Sequence, residues 1–146
     1  MKRYLAHPFD TRFDMRQWEL RMESNLDGLE LINPFYDIDR ADVLAIDEGR
    51  MERYAADPAA IVTRDIQALR LADGFCGYVN GALTYGTIME IAYAWLWHGI
   101  KDKEHVDYPV ELIVTNGHQD HPWLRFHSTA IFTSLEEYEG YLAEII

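Results

Sequence analysis

Short apolar runs alternate with segments of helical period along most of this chain, and that alternation limits the fold more than anything else in the sequence. Residues 3–6 form an apolar run stopped by Pro8 and read as a buried strand. Residues 11–25 place Phe13, Trp18, Leu20 and Met22 at helical spacing, with Gly28 as the stop. Residues 29–32 read as a second strand, ended by Asn33-Pro34. A helix over 59–71 is expected to turn Ile61, Val62, Ile66 and Leu69 inward and to end at Asp73-Gly74. Residues 75–79 make a third strand before the turn-like Asn80-Gly81. The next helix opens at Gly86 and runs to about His98, with the stripe Ile88, Ile91, Ala92, Trp95. Residues 108–115 and 130–132 read as the fourth and fifth strands. Ser134, with Glu137 three residues on, is a capping box for a last helix.

Strands alternating with helices predict a parallel sheet covered on both faces. The expectation is one α/β domain over residues 1–146, flavodoxin-like, with a five-stranded, mainly parallel sheet of order 2-1-3-4-5. Ligands of such sheets bind beyond the carboxyl ends of the strands, where strands 1 and 3 diverge. That directs attention to residues 6–12, 80–90 and 116–128. Residues 34–58 are irregular and acidic, a pattern that in compact domains is often functional, with a helix expected over 41–54.

Charge narrows the partners. Thirteen Lys and Arg against 25 Asp and Glu leave a net charge of −12, which opposes binding to a nucleic-acid polymer. The single cysteine, Cys76, allows no intramolecular disulfide and fits a reducing compartment, so the cytoplasm is the expected location. The longest apolar run, residues 91–97, is far short of the ~20 residues of a membrane span, and the first eight residues lack a signal-peptide core.

Three segments carry chemistry. Glu90 falls in or just after the first turn of the helix that follows strand 3, where the positive end of the helix favours an ionised carboxylate, a usable nucleophile. Acids are common in first turns for stability alone, and spacing by itself favours that plainer role. Asp65 and Asp73 lie on and after the helix preceding strand 3, where, taken alone, a solvated face and a helix end are the commoner explanation. Tyr4, at a strand end, can aim its hydroxyl into the crevice, although a half-buried core tyrosine is the commoner case. His118 and His121 have a metal-like spacing around Asp120, but nothing supports them with further ligands, so no metal and no cofactor are expected.

Taken together, Tyr4-Leu5-Ala6-His7-Pro8-Phe9, the run from Asp65 to Ala72-Asp73, and Thr84-Tyr85-Gly86-Thr87-Ile88-Met89-Glu90-Ile91-Ala92-Tyr93-Ala94 resemble, in order and spacing, the motifs of the nucleoside 2-deoxyribosyltransferase family, which includes related deoxynucleoside monophosphate N-glycosidases. The resemblance implies that Glu90 attacks C1′ of a deoxyribose and carries it as a glycosyl-enzyme. It implies that Tyr4 orients Glu90, that Asp65 exchanges a proton with the nucleobase, and that Asp73 supports it. Phe9, Thr84, Gly86 and Thr87 would line the substrate site, and Asn33 or Asp37 would contact the base. Two positions depart from the family pattern: Thr84 stands where an Asp usually contacts sugar hydroxyls, and Ala92 replaces the usual Gly. A neighbouring subunit would complete the site from residues 121–125, where Trp123 either stacks on a base or packs at an interface. The implied partners are a nucleoside or nucleotide and a free nucleobase, in a homo-oligomer with shared sites. Three functions stay open: transfer of deoxyribose between bases, hydrolysis of 2′-deoxynucleoside 5′-monophosphates, and nucleotide binding without catalysis.

Overall fold

The computed structural model describes residues 1–37, 47–49, 57–103 and 107–146. Five strands, β1 (Lys2–Ala6), β2 (Glu30–Ile32), β3 (Gly74–Val79), β4 (Val110–Val114) and β5 (Ala130–Phe132), form one sheet of order β2-β1-β3-β4-β5. Every pairing is parallel, so the expected strand order holds and "mainly parallel" becomes wholly parallel. Among the described residues five helices connect or flank them: α1 (Arg12–Asn25), α2 (Pro58–Leu71), α3 (Tyr85–Lys103), the short α4 (Pro122–Phe126) and α5 (Leu135–Ile145). A 3-10 turn, Phe9–Thr11, leads into α1. The helix expected over 41–54 lies, apart from 47–49, outside the described residues. Among the described residues no helix is long and apolar enough to cross a membrane.

Strand side chains alternate between two cores. Tyr4, Ala6, Phe75, Val79, Val110, Leu112 and Val114 meet Leu69 and Ala72 beside α2 and Ile91 and Ala94 of α3 on one face. Leu5, Cys76 and Ile113 meet Met15, Trp18 and Met22 of α1 and Tyr138 and Leu142 of α5 on the other. The central strands are buried on both sides, which is why they read as continuous apolar runs.

Some inward faces differ from expectation. In α1, Phe13 and Leu20 are exposed, Met15, Trp18 and Met22 pack into the core, and Glu19 is buried as well. In α2, Val62 is exposed and Leu69 carries the contact. In α3 the buried residues are Thr87, Ile91 and Ala94, whereas Ile88 and Ala92 face out. That helix begins one residue earlier than expected and continues past Gly99. At α5, Ser134 Oγ accepts the Glu137 N–H at 3.1 Å, and the Glu137 carboxylate turns back to the Thr133 N–H at 2.6 Å, a capping box shifted by one residue.

Candidate active site at the carboxyl ends of β1 and β3

Tyr4 is the third residue of β1, wholly buried on the α3 side, with its ring stacked on Phe75 at 6.0 Å. Its hydroxyl reaches up to α3 and donates to Glu90 Oε1 at 2.7 Å. The α3 helix starts just beyond the carboxyl end of β3 and leans on that strand, so Glu90 hangs over the divergence of β1 and β3. Ile91, the next residue, is buried in the same cluster as Tyr4 and Leu69, which fixes the rotation of the helix. Glu90 itself is half-buried. The sequence motif therefore places an oriented carboxylate at the mouth of the sheet.

The start of α3 has a defined cap. Thr84 Oγ1 accepts the Thr87 N–H at 3.2 Å, the bond an N-cap residue makes. That occupies the hydroxyl that stands in the place of the family's Asp. Gly86 has open space around its would-be Cβ. Thr87 is 2% exposed, and its hydroxyl has no hydrogen-bond partner among the described residues. The first turn of α3 contains no acidic residue.

Asp65 lies halfway along α2 and is half-buried. Leu69 and Ala72, four and seven residues on, share its helical face and belong to the core around Tyr4. Because α2 runs opposite to the strands, Asp65 sits one turn from Leu69 toward the carboxyl ends, and α2 packs against α3.

Other candidates stand elsewhere. Asp73 is at the amino edge: its carboxylate accepts the Lys2 N–H at 2.8 Å and its own N–H donates to the Lys2 carbonyl, also at 2.8 Å. A helix that returns to start a parallel strand ends at that edge by topology, so Asp73 belongs to the opposite end of the sheet from Glu90. Asn33 is at the mouth, but it is fully buried and its amide is committed: Nδ2 donates to Glu19 Oε2 at 2.8 Å, and Oδ1 accepts the Phe35 N–H at 3.1 Å. Asp37 accepts the Asn33 N–H at 2.7 Å and pairs with Arg16 at 2.8 Å. These bonds set the shape of the loop after β2. Phe9 is half-buried after β1, with the Arg12 guanidinium 4.0 Å over its ring and the edge of Phe35 at 5.5 Å. Trp123 is 72% exposed and stacks flat on His127, whose ring lies beside Trp95 on the flank of α3. His121 caps α4 through the Trp123 N–H, and His118 is bound into a turn by Asn116.

Sequence reasoning assigned no role to His7 or to Glu19. His7 is 3% exposed, with Nδ1 3.1 Å from the Pro8 carbonyl and Nε2 3.1 Å from Asn33 Oδ1. Burial holds its imidazole below the ordinary value. Glu19 is fully buried, bonded to Asn33 and to Arg16; burial, opposed by those donors and assisted by Asp37, pushes its carboxyl up to about 8. An acid at a regular inward position of an amphipathic helix is the one signal that could have marked Glu19.

No protein-family model matches the sequence, and no curated protein matches it. Solved structures do match its shape. The CMP N-glycosidase BcmB of Clostridium botulinum superposes over 100% of both chains with a TM-score of 0.60 at 15% identity. A 2-deoxyribosyltransferase from Leishmania mexicana superposes over 99% of both chains with a TM-score of 0.53 at 13% identity. The chain has the fold of these two proteins from end to end.

Proposed function

We propose that this protein transfers a 2-deoxyribosyl group between nucleobases through a covalent glycosyl-enzyme on Glu90. The observation that carries the reading is the 2.7 Å bond from Tyr4 to Glu90 at the carboxyl ends of the strands. A buried tyrosine that donates to a carboxylate holds it in one orientation and favours its ionised form. A carboxylate so held can attack C1′ as the C1′–N bond breaks, leaving the sugar as an ester on Glu90. The departing base takes a proton, and Asp65 on the neighbouring helix is the group proposed to supply it. A second base then attacks C1′ from the vacated face and releases Glu90, the double displacement of retaining glycoside chemistry. The shared fold with a deoxyribosyltransferase supports this reading.

One feature favours a second reading, hydrolysis of a 2′-deoxynucleoside 5′-monophosphate. The α3 N-terminus has no acid in its first turn, Thr84 replaces the family's Asp, and the Thr87 hydroxyl is buried without a partner among the described residues. An uncharged helix start of this kind tolerates a phosphate that an Asp would repel. The shared fold with a CMP N-glycosidase supports it too.

We further propose that the protein is a homo-oligomer in which a second copy closes the site. Tyr85, Met89 and Leu96 of α3 are 74%, 63% and 65% exposed, and Trp123 and Phe126 flank them. A contiguous apolar surface of this kind marks an interface.

The test is an incubation with thymidine plus adenine, and separately with 2′-deoxynucleoside 5′-monophosphates in water, following free and exchanged base by chromatography. Exchange supports the transferase and release from monophosphates the hydrolase. Binding without turnover of either class would reject both. Glu90→Ala should abolish turnover, and a wild-type rate in that variant would reject the site.

A further inference from the structure

The loops after β1 and β2 begin side by side at the carboxyl ends of their strands, and they are tied to each other through a buried chain of polar side chains. His7 follows β1 directly and Asn33 follows β2 directly, and the register of the two strands, Tyr4 beside Ile32, brings them together. Asn33 cannot be rotated without loss. Its carbonyl oxygen accepts the Phe35 N–H and, in the tautomer protonated at Nε2, the His7 ring N–H, and its amino group donates to the Glu19 carboxyl. On the other side of His7, the Pro8 carbonyl lies 3.1 Å from Nδ1 and receives the Thr11 N–H at 3.1 Å and the Thr11 hydroxyl at 2.9 Å, which sets the Phe9–Thr11 turn. The aromatic rings follow the same connections: His7 lies 5.0 Å from Phe35, and Phe35 lies edge-on to Phe9. The deepest member, Glu19, is fully buried on α1, where no substrate reaches it.

A buried carboxyl is costly to keep without a role for it. Its described neighbours are Arg16 on the same helix, and Asn33 and Asp37 from the loop after β2. None of these contacts bears on the sheet core, which on this side is built from Met15, Trp18 and Met22.

We infer that Glu19 is a positioning residue: through Asn33 and His7 it locks the loops after β1 and β2 into one wall and so sets the spacing of Phe9 and Phe35 at the mouth. This rests on the reading of that mouth as the place where a nucleobase is held. Removing the Glu19 carboxyl frees the Asn33 amino group, lets the Asn33 side chain turn, and releases His7 and the Phe35 N–H together. The wall then loosens while the Tyr4–Glu90 pair, on the other side of β1, stays in place.

Backbone amide exchange tests this in Glu19→Ala, Glu19→Gln and Glu23→Gln. Glu23 is on the same helix and accepts the Leu31 N–H of β2 at 2.7 Å, and among the described residues it bonds to neither loop. Glu19→Ala should speed exchange at Phe35 and Thr11 by about tenfold, the loss of roughly one hydrogen bond, with β3 and β4 amides unchanged. Glu19→Gln, which keeps an acceptor for Asn33, should restore slow exchange, and Glu23→Gln should leave both loops as in the wild type. Wild-type exchange at Phe35 and Thr11 in Glu19→Ala would overturn the inference. So would an equal rise in β3 and β4, which would mean general loosening. Should Glu19→Ala fail to fold, His7→Ala cuts the same chain at its other end and is judged by the same two amides. In turnover, Glu19→Ala should raise KM about tenfold and leave kcat within about twofold, and an unchanged KM would also overturn the inference. If wild-type protein turns over no nucleoside or nucleotide, the functional reading fails by itself and amide exchange still decides the role of Glu19.

Discussion

Tyr4 and Glu90 share one short bond, and its removal separates orientation from nucleophilicity. In Tyr4→Phe the carboxylate remains but loses the donor that fixes it. A hydrogen bond to a charged group contributes about 1.5–3 kcal/mol, so kcat/KM should fall between roughly tenfold and a hundredfold. The ring stays stacked on Phe75, and the melting temperature should stay close to that of the wild type. Steady-state kinetics alongside thermal melting checks this, and an unchanged kcat/KM would remove Tyr4 from the mechanism. Glu19 makes a different prediction at the same scale. Burial raises its carboxyl to about 8, from an ordinary 4.5. The unfolded chain ionises this residue from about pH 4.5 and the folded chain only near 8. The stabilisation linked to Glu19 is therefore complete below about pH 4.5 and lost as pH rises through about 8. His7 acts in the opposite sense. Its lowered value makes its contribution present above the ordinary 6.5 and lost as pH falls through the depressed value. Subtracting the melting temperatures of Glu19→Gln from those of the wild type across this range isolates the first effect. The difference should shift against the wild type as pH rises toward 8, and a flat difference would show that Glu19 ionises as freely folded as unfolded.

At the scale of elements, β1 and β4 are joined across β3 on the α1 side. Arg3 lies over Gly74 and pairs with Glu111 at 3.0 and 3.2 Å, and Tyr138 and Tyr141 of α5 donate to the same carboxylate at 2.7 and 3.0 Å. A Cβ at Gly74 would stand 2.9 Å from Arg3 Nη1 and 2.9 Å from Pro109 Cγ. Gly74→Ala therefore pushes the guanidinium off its partner, and Glu111→Ala leaves Arg3 buried without it. Breaking one side of a buried pair costs about 3–5 kcal/mol. Glu111→Ala should lose about that much in urea unfolding and Gly74→Ala a smaller amount, and a loss below about 1 kcal/mol for Glu111→Ala would mean water replaces the pair. Elements of this kind show what the sequence made legible. The parallel sheet followed from the alternation of short apolar runs with helical segments, and its order from the five-stranded flavodoxin-like pattern. The Tyr4 and Glu90 positions followed from motif spacing. The face of α3 did not follow, since a helix that is apolar all round has no phase to read: Ile88 and Ala92 were expected inward, and Thr87 and Ala94 are the buried ones. Asp73 lies at the amino edge, where the topology alone sends a helix-to-strand junction. The His7–Asn33–Glu19 chain was illegible because its members, up to 26 residues apart, meet only when β1 and β2 pair.

The whole molecule carries a net charge of −12, and copies of it repel one another wherever acidic surface meets acidic surface. The exposed side of α3 is the exception. From Tyr85 to Ile100 its single Asp, Glu, Lys or Arg is Glu90, which turns toward Tyr4. A second copy can therefore lie against this face without opposing like charges, and the exposed Tyr85, Met89, Leu96, Trp123 and Phe126 supply the apolar area that association needs. Because Glu90 is on the same helix, such a neighbour would also stand beside the mouth of the site and help exclude water from a glycosyl ester. Sedimentation velocity should show a species larger than the 17.0 kDa chain at micromolar concentration. Leu96→Glu, a change at a position 65% exposed in the single chain, should return it to the monomer with its fold intact by circular dichroism. If association and exchange are coupled, the Leu96→Glu monomer should lose base exchange and gain, in relative terms, hydrolysis, since an open mouth lets water compete for the ester. A wild-type protein that sediments as a monomer up to about 100 µM, far above the dissociation constant of a stable dimer, would leave the α3 face without this partner.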